Sequence, residues 1–387
     1  MARGDASGRV RPVGVGVLGL GLAGRGAVQA LSKSRLTRVA AVCDLNAETT
    51  ESVAKSAGVP GFLSFDEMCS DPGVEAIFIA TPTHMRLPHV ETAIRAKKHL
   101  MVEKPIARNG KEAAEIVKLA DSSGLVVMSV NTRGRDAVVE AMANAVREEP
   151  VGRVLSLTNV MYKPWLLSPR YDYEMDPVLG GGVNFRQAPH QVEIARAILQ
   201  APVRAVTATV GHANAPVEAY GNFNALLEFE GGASASLVFN GYGYFDTSEL
   251  TWGIGEGGRK HDPGAGIALR KAESWKKVKY SEASPIRPPD RASRSARGLS
   301  IYGLMIISCE QGDIRPSRHG YYIYDFDSIR EIRVPLNAGG MPKDVEEFYD
   351  AVRRDVPYAH DARWGARTVE VCEAIWTSAR EDRTVRF

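Results

Sequence analysis

The sequence predicts an α/β chain in two parts: a doubly wound parallel domain at the N-terminus, then an α/β domain on an open, mostly antiparallel sheet. Three observations predict it. The first is the order of elements from Val13 to Asp44. An apolar run Val13-Gly14-Val15-Gly16-Val17-Leu18 leads into Gly19-Leu20-Gly21-Leu22-Ala23-Gly24, a helical stretch follows, and a second run Val39-Ala40-Ala41-Val42-Cys43 closes on Asp44. Strand, glycine turn, helix, strand and acid in that order is the sequence form of a dinucleotide-binding βαβ unit. The second is that strand and helix patterns keep alternating to about Asn131, as a doubly wound sheet requires. The third is that strands further on follow one another without long crossovers, which implies antiparallel pairing.

Each residue type in the glycine turn has a physical task. Gly19 permits the tight turn, Gly21 lets the backbone approach a pyrophosphate, and Gly24 lets helix and strand pack closely. Leu22 and Ala23 open the helix, whose free N–H groups and positive dipole end suit phosphates. Asp44 lies 25 residues after Gly19, where a carboxylate accepts from ribose hydroxyls and repels a 2′-phosphate. The expected cofactor is therefore NAD rather than NADP. A run Val74–Ala80 then fits a buried parallel strand and ends at Thr81-Pro82-Thr83. A helix from about Leu87 to Lys97, a strand His99–Val102 ending at Glu103-Lys104-Pro105, a helix near Lys111 to Ala120 and a strand Leu125–Val130 complete the domain, expected over residues 1–132 as a Rossmann NAD-binding domain. Ligands of such a sheet gather at the carboxyl ends of its strands. Those ends are the glycine turn, Asp44, Thr81, Pro82, Glu103, Lys104 and Asn131.

The second domain, expected over residues 133–387 for substrate binding and oligomerisation, opens with a helix from about Asp136 to Glu148. Strands are expected at Val154–Val160, Val203–Val210, Ala225–Phe229 and Ala233–Phe239, the last two joined by the hairpin turn Glu230-Gly231-Gly232. Helices near Asp344–Arg354 and Arg363–Arg380 close the chain, and the C-terminal helix is allowed to pack back on the first domain. An open sheet leaves one face for self-association, so a homodimer or homotetramer is expected. Residues Arg259–Arg297 are rich in Lys, Arg and Pro and read either as a solvated, partly disordered loop or as a lid or subunit arm meeting an anionic substrate.

Composition narrows the function. The chain has 387 residues, of which 44% are hydrophobic and 24% charged, with a formal net charge of +2. Nothing in that balance points to nucleic acid or a membrane surface as partner. No apolar run approaches the roughly 20 residues that span a bilayer. Cys43, Cys69, Cys309 and Cys372 are scattered without C-x-x-C spacing, so neither a disulfide framework nor a zinc site is expected. Arg3, Arg9 and Arg11 before an apolar stretch mimic a signal peptide, but cleavage there would destroy the βαβ unit. The expectation is a cytoplasmic protein with a mobile tail at Met1–Arg11.

Two residues stand out for chemistry. Lys104 lies just past a strand end at the ligand edge, where an ammonium can hydrogen-bond a substrate hydroxyl and stabilise developing negative charge. The alternative is a surface lysine. His190 follows Gly180-Gly181-Gly182-Val183-Asn184-Phe185-Arg186-Gln187-Ala188-Pro189. Pro189 suits the start of a helix, and a helix N-terminus disfavours imidazolium, leaving a neutral ring able to accept a proton. The alternative is a core histidine satisfied by backbone.

The glycine turn, Thr81-Pro82, Glu103-Lys104-Pro105 and the triple glycine followed by His190 together resemble the Gfo/Idh/MocA oxidoreductase family over nearly the whole length. The resemblance implies a Rossmann domain joined to an open-sheet α/β domain, hydride transfer between NAD(P) and a carbinol carbon, and Lys104 with His190 as the polar catalytic pair. Members acting on sugars or inositols usually carry Asp four residues before this histidine; here that place is Arg186. The run Phe185–Gln191, with Tyr242–Thr247, Gly253–Gly258 and Ser308–Ile314, is similar to the branch containing phthalate 4,5-cis-dihydrodiol dehydrogenases. An arginine fork matches a carboxylate, so Arg186, helped by Arg133 and with Asn184 in the same loop, is expected to bind a carboxylated ring. The alternatives are an internal ion pair for Arg186, to Glu193 or another acid, and a solvated helix start for Arg133, which is the reading the residues favour. The expected reaction is NAD-dependent oxidation of a carboxylated cis-dihydrodiol to a catechol. A sugar, inositol or glycoside C-3 dehydrogenase and a non-catalytic NAD(P)-binding regulator stay open beside it.

Overall fold

A computed structural model describes residues 10–130, 133–212, 220–276, 298–336 and 339–387. The chain divides into two compact units, Met1–Thr132 with Met341–Glu370, and Arg133–Gly340 with Val371–Phe387.

In the first unit the strands are β1 (Val13–Leu18), β2 (Thr37–Cys43), β3 (Gly61–Phe62), β4 (Ala76–Ile79), β5 (His99–Glu103) and β6 (Val127–Val130), all parallel and ordered β3-β2-β1-β4-β5-β6. That is the doubly wound order of a dinucleotide-binding fold. The helices between them are α1 (Leu22–Lys33), α2 (Ala47–Ala57), α3 (Phe65–Ser70), α4 (Arg86–Arg95) and α5 (Gly110–Ser123). Successive strand residues feed opposite faces. Val13, Val15, Val17, Ala76, Phe78 and Met101 share one core with Ala27 and Leu31 of α1. Ile77, Ile79, Leu100 and Val102 share the other with Met68, Val90, Ala93 and Ile116. Burial on both faces is why these strands read as unbroken apolar runs. The Asn46 and Asn109 side chains accept N–H bonds from Thr49 and Glu112, which fixes where α2 and α5 begin.

Residues 341–370 belong to this unit by packing, although they come last in the sequence. Val345 and Phe348 of the helix Met341–Arg354 join the first core, and Ala362, Ala366 and Val369 of the helix Ala362–Glu381 join the second. Arg353 donates to both carboxylate oxygens of Glu75, at 2.8 and 2.7 Å. Arg11, expected to end a mobile tail, instead pairs with the same Glu75 and lends its carbonyl to Arg353. The rest of that tail, residues 1–9, lies outside the described residues.

The second unit holds a nine-stranded sheet. Its strands are β7 (Val154–Tyr162), β8 (Val203–His212), β9 (Tyr220–Phe229), β10 (Ser234–Asn240), β11 (Leu304–Cys309), β12 (Gly312–Pro316), β13 (Gly320–Asp325), β14 (Ile329–Arg333) and β15 (Val385–Arg386). The order is β14-β13-β12-β11-β7-β10-β9-β8-β15, antiparallel throughout except for the β7–β10 pair. The β9–β10 hairpin turns through Gly231 and Gly232 at φ 81° and 91°, a region only glycine enters without strain. The run β11–β14 is absent from the sequence reading. These strands are short, and on β12 to β14 the isoleucines (Ile314, Ile323, Ile329, Ile332) are separated by Arg, Tyr, Asp and Glu, so no apolar run marks them.

One face of this sheet is covered by helices. Val139 and Met142 of α6 (Ala137–Glu148), Val192 and Ala195 of α8 (Ala188–Leu199), and Cys372 and Ile375 near the C-terminus share its core. The other face carries Leu155, Leu226 and Ile306 exposed, with Val160, Val238, Leu304, Tyr322 and Tyr324 half-buried. Between β7 and α8 lies the short helix α7 (Val183–Arg186). After Arg259 the chain forms α9 (Ala265–Lys271) rather than a continuous loop, and Arg270 donates to the Gly243 carbonyl at 2.7 Å. The remainder of the basic segment, residues 277–297, lies outside the described residues. Among the described residues, no helix is long and apolar enough to cross a membrane.

Candidate active site

In the first unit the glycine turn has the shape its sequence implies. Gly19 has φ 87°, and a Cβ there would lie 2.9 Å from the Ala80 carbonyl carbon at the end of β4. A Cβ on Gly24 would lie 1.8 Å from the Gly19 carbonyl oxygen, so no side chain fits. Gly21 caps α1 without any side-chain hydrogen bond, the first turn carries no acid, and Leu22 and Ala23 are exposed. The N–H groups of that turn are thus left to a bound anion. Asp44 accepts from Leu20 N–H at 2.7 Å and from Asn46 N–H at 3.0 Å. It therefore holds the turn in shape, and each oxygen keeps a further lone pair. These residues fit a dinucleotide. Burial pushes the neighbouring Cys43 thiol up to about 12, which keeps it inert at this edge.

The other strand ends are organised by a residue the sequence reading passed over. Arg86, at the start of α4, donates from Nε to the Thr81 carbonyl at 3.2 Å and from Nη1 to the carbonyls of Glu103 and Pro105. Thr81 Oγ1 shares a hydrogen bond with His89 Nδ1 at 3.0 Å. Pro82 directs the chain into the turn before α4. Lys104, half-buried, lies between the two carbonyls that Arg86 holds and precedes a cis Pro105. Asn131 lies outside the described residues.

In the second unit His190 is the third residue of α8, with Pro189 in the first turn, and is 8% exposed. The helix is buried almost all round, including Gln191 and Glu193, rather than along one apolar stripe. The His190 ring packs at 5.1 Å from that of Tyr302, whose hydroxyl donates to Gln187 Oε1 at 2.9 Å. The Lys163 ammonium lies 5.8 Å from the Tyr302 ring centre and donates to Glu256 at 2.6 Å. Arg133 meets the other Glu256 oxygen at 2.9 Å, and also Asp136 and Ser300.

Arg133 is therefore not a solvated helix start: its side chain is 17% exposed and lies within an ion cluster. Burial would raise the Glu256 carboxyl, but Lys163, Arg133 and His190 outweigh it and hold it well below the usual carboxylate range. Burial pushes Asp136 up despite Arg133 and Ser300, and burial with Glu256 pushes the Tyr302 hydroxyl well up. Glu256, Lys163 and Tyr302 went unnoticed as site residues. The only signal for Glu256 was its place in the run Gly253–Gly258.

Arg186 ends α7 and donates to Glu174, a buried acid, at 3.1 Å; Arg170 lies 3.7 Å from the same oxygen. Glu193 instead faces Arg196, at 3.6 Å. Asn184 is fully buried, and neither its Oδ1 nor its Nδ2 has a hydrogen-bond partner among the described residues. A buried amide in that state is costly, and at 0% exposure Asn184 does not face a substrate, contrary to the role expected of it in the loop.

A doubly wound domain with an open helix N-terminus is a dinucleotide-binding domain, and a mixed-sheet domain with a buried histidine follows it in the chain. The chain belongs to the Gfo/Idh/MocA family: the model of the oxidoreductase family with NAD-binding Rossmann fold matches residues 13–131, and that of the family's C-terminal domain matches residues 139–257. It is 24% identical over 380 residues, 93% of each chain, to 1-carboxy-3-chloro-3,4-dihydroxycyclohexa-1,5-diene dehydrogenase of Comamonas testosteroni. A solved structure of a protein assigned as a dehydrogenase, from Bordetella bronchiseptica RB50, is 30% identical with a TM-score of 0.88, covering 97% of this chain and 100% of that one. The WlbA dehydrogenase of Bordetella pertussis, solved with NADH and UDP-GlcNAcA, shares the fold at 19% identity, with a TM-score of 0.73 and coverage of 97% and 98%.

Proposed function

We propose that the protein oxidises a carboxylated aromatic cis-dihydrodiol, of the phthalate dihydrodiol type, to a catechol. The observation that carries this reading is Arg186, which stands where polyol-acting members carry an acid and shares a single buried carboxylate, Glu174, with a second arginine, Arg170. The Comamonas relative, named for a carboxylated dihydroxycyclohexadiene, supports the same substrate class.

NAD, which the glycine turn and Asp44 would hold, would supply the acceptor for the carbinol hydride. His190 takes the proton of the reacting hydroxyl, and Lys104 donates a hydrogen bond to the oxygen as charge develops on it. The first product is a ring ketone, and enolisation to the aromatic catechol draws the reaction forward. Self-association through the open sheet face, as a dimer or tetramer, is part of the proposal.

A second reading, a neutral sugar or inositol as substrate, is favoured by the Arg186–Glu174 contact, which meets the arginine charge inside the protein. The test is NADH formation from NAD with phthalate 4,5-cis-dihydrodiol against a panel of inositols and hexoses. Turnover on the dihydrodiol supports the proposal. Turnover on polyols alone overturns it.

A further inference from the structure

Arg86 is the one arginine described above that donates to three backbone carbonyls from two different strand ends. It is 3% exposed. Its Nε reaches the Thr81 carbonyl beyond β4, and its Nη1 reaches the carbonyls of Glu103, the last residue of β5, and of Pro105 just past it. Glu103 and Pro105 are the residues immediately before and after Lys104. We infer that Arg86 is a positioning residue, clamping the backbone on both sides of Lys104 so that its ammonium is held toward the reacting oxygen. This rests on the catalytic role proposed for Lys104.

The choice of residue type carries the argument. A guanidinium is a planar fork of five N–H donors that can bind acceptors lying in different directions at once. Lysine offers a compact point charge on a flexible stem, so its donors are not fixed in direction as those of the guanidinium are. Burying a charged group is costly unless it is hydrogen-bonded, so the carbonyls and the guanidinium hold each other. Because these acceptors belong to the main chain, the bonds set the path of the backbone. That path sets where the Lys104 side chain begins.

A purely structural staple would also tie β4 to β5, so the test must read Lys104 itself. The protein is prepared with NADH as wild type, Arg86→Lys, Arg86→Gln and Lys104→Ala. Its lysines are reductively methylated with a carbon-13 label and followed by NMR. The Lys104 resonance is the one missing from Lys104→Ala. In Arg86→Gln we expect it to move to the position and linewidth of the exposed lysines, such as Lys55 and Lys97, with Arg86→Lys in between. Turnover of whichever substrate the panel yields should fall about 100-fold, as for a catalytic group misplaced by about 1 Å, while NADH affinity is retained.

A Lys104 resonance unchanged in Arg86→Gln, with only the melting temperature lowered, would overturn the inference. If Arg86→Gln does not fold, Arg86→Lys supplies the same readout, and an unchanged Lys104 signal there overturns it equally. Failure of the underlying reading looks different. Wild-type turnover in Lys104→Ala removes the catalytic role of Lys104, while the NMR signal still reports whether Arg86 positions it.

Discussion

Replacing Glu256 by Gln keeps the shape of the side chain and removes the charge that joins Arg133 to Lys163. One carboxylate oxygen takes Arg133 at 2.9 Å and the other takes Lys163 at 2.6 Å. An amide can accept at only one of these places, and its NH2 group then faces a cation. Breaking a fully buried ion pair by removing one partner costs about 3–5 kcal/mol. Glu256 is 31% exposed, and solvent screening reduces the figure to about 2 kcal/mol. For a unit of this size that lowers the melting temperature by about 4–8 °C.

The pH dependence follows from the direction of the Glu256 shift. Burial raises its carboxyl, but Lys163, Arg133 and His190 bring it well below the ordinary value. A carboxylate whose folded value lies below its unfolded one contributes stability that is fully present above the unfolded value, about 4.3. That stability is lost as pH falls through the folded value. The gap between wild type and Glu256→Gln should therefore be constant from neutral pH down to the ordinary carboxylate range and close below it. Thermal unfolding followed by tryptophan fluorescence reads this, because four of the five tryptophans lie in the second unit and only Trp364 lies in the first. Equal melting temperatures at neutral pH, or a gap that widens in acid, would refute the reasoning.

Two further outcomes are expected. Asp44→Ser replaces the carboxylate that accepts from Leu20 N–H and would accept from the ribose, and removes the charge that repels a 2′-phosphate. A hydrogen bond to a charged group is worth about 1.5–3 kcal/mol, so the ratio of NAD to NADP affinity should fall about ten- to a hundredfold; calorimetric titration with both cofactors reads it, and an unchanged ratio sinks the assigned preference. Glutamates at Leu226 and Ile306, 42% and 40% exposed on the open sheet face, should convert an oligomer to monomers in sedimentation. An assembly that survives both substitutions must use another surface.

Much of the first unit is legible because its signals are local. The apolar runs of β1, β4 and β5 are short and continuous because both faces of the sheet are buried. The glycine turn is legible because Gly19 and Gly24 occupy places where a Cβ would strike backbone. The start of α8 is marked by Pro189. By contrast β12 to β14 escape notice because their few apolar residues are set among polar ones, and β14 at the sheet edge buries none of its residues.

The charged residues of the site are harder to read, and Arg133 indicates why. An arginine just past a strand end defaults to a solvated reading because its principal partner, Glu256, lies far along the chain. Arg86 is hidden the same way, since its acceptors are carbonyls of residues five, seventeen and nineteen positions on or back. Such contacts exist only once the sheet has brought its strand ends together. Yet one local sign was present for Arg133. Asp136 follows it by three residues, and the two pair at 3.3 Å with the acid nearly buried. An acid at that spacing, opening an apolar helix such as α6, is a reason to test burial before assuming solvent. The same spacing between Glu115 and Lys118 carries no such implication, because both lie mid-helix with their side chains 42% and 76% exposed, and neither opens a helix.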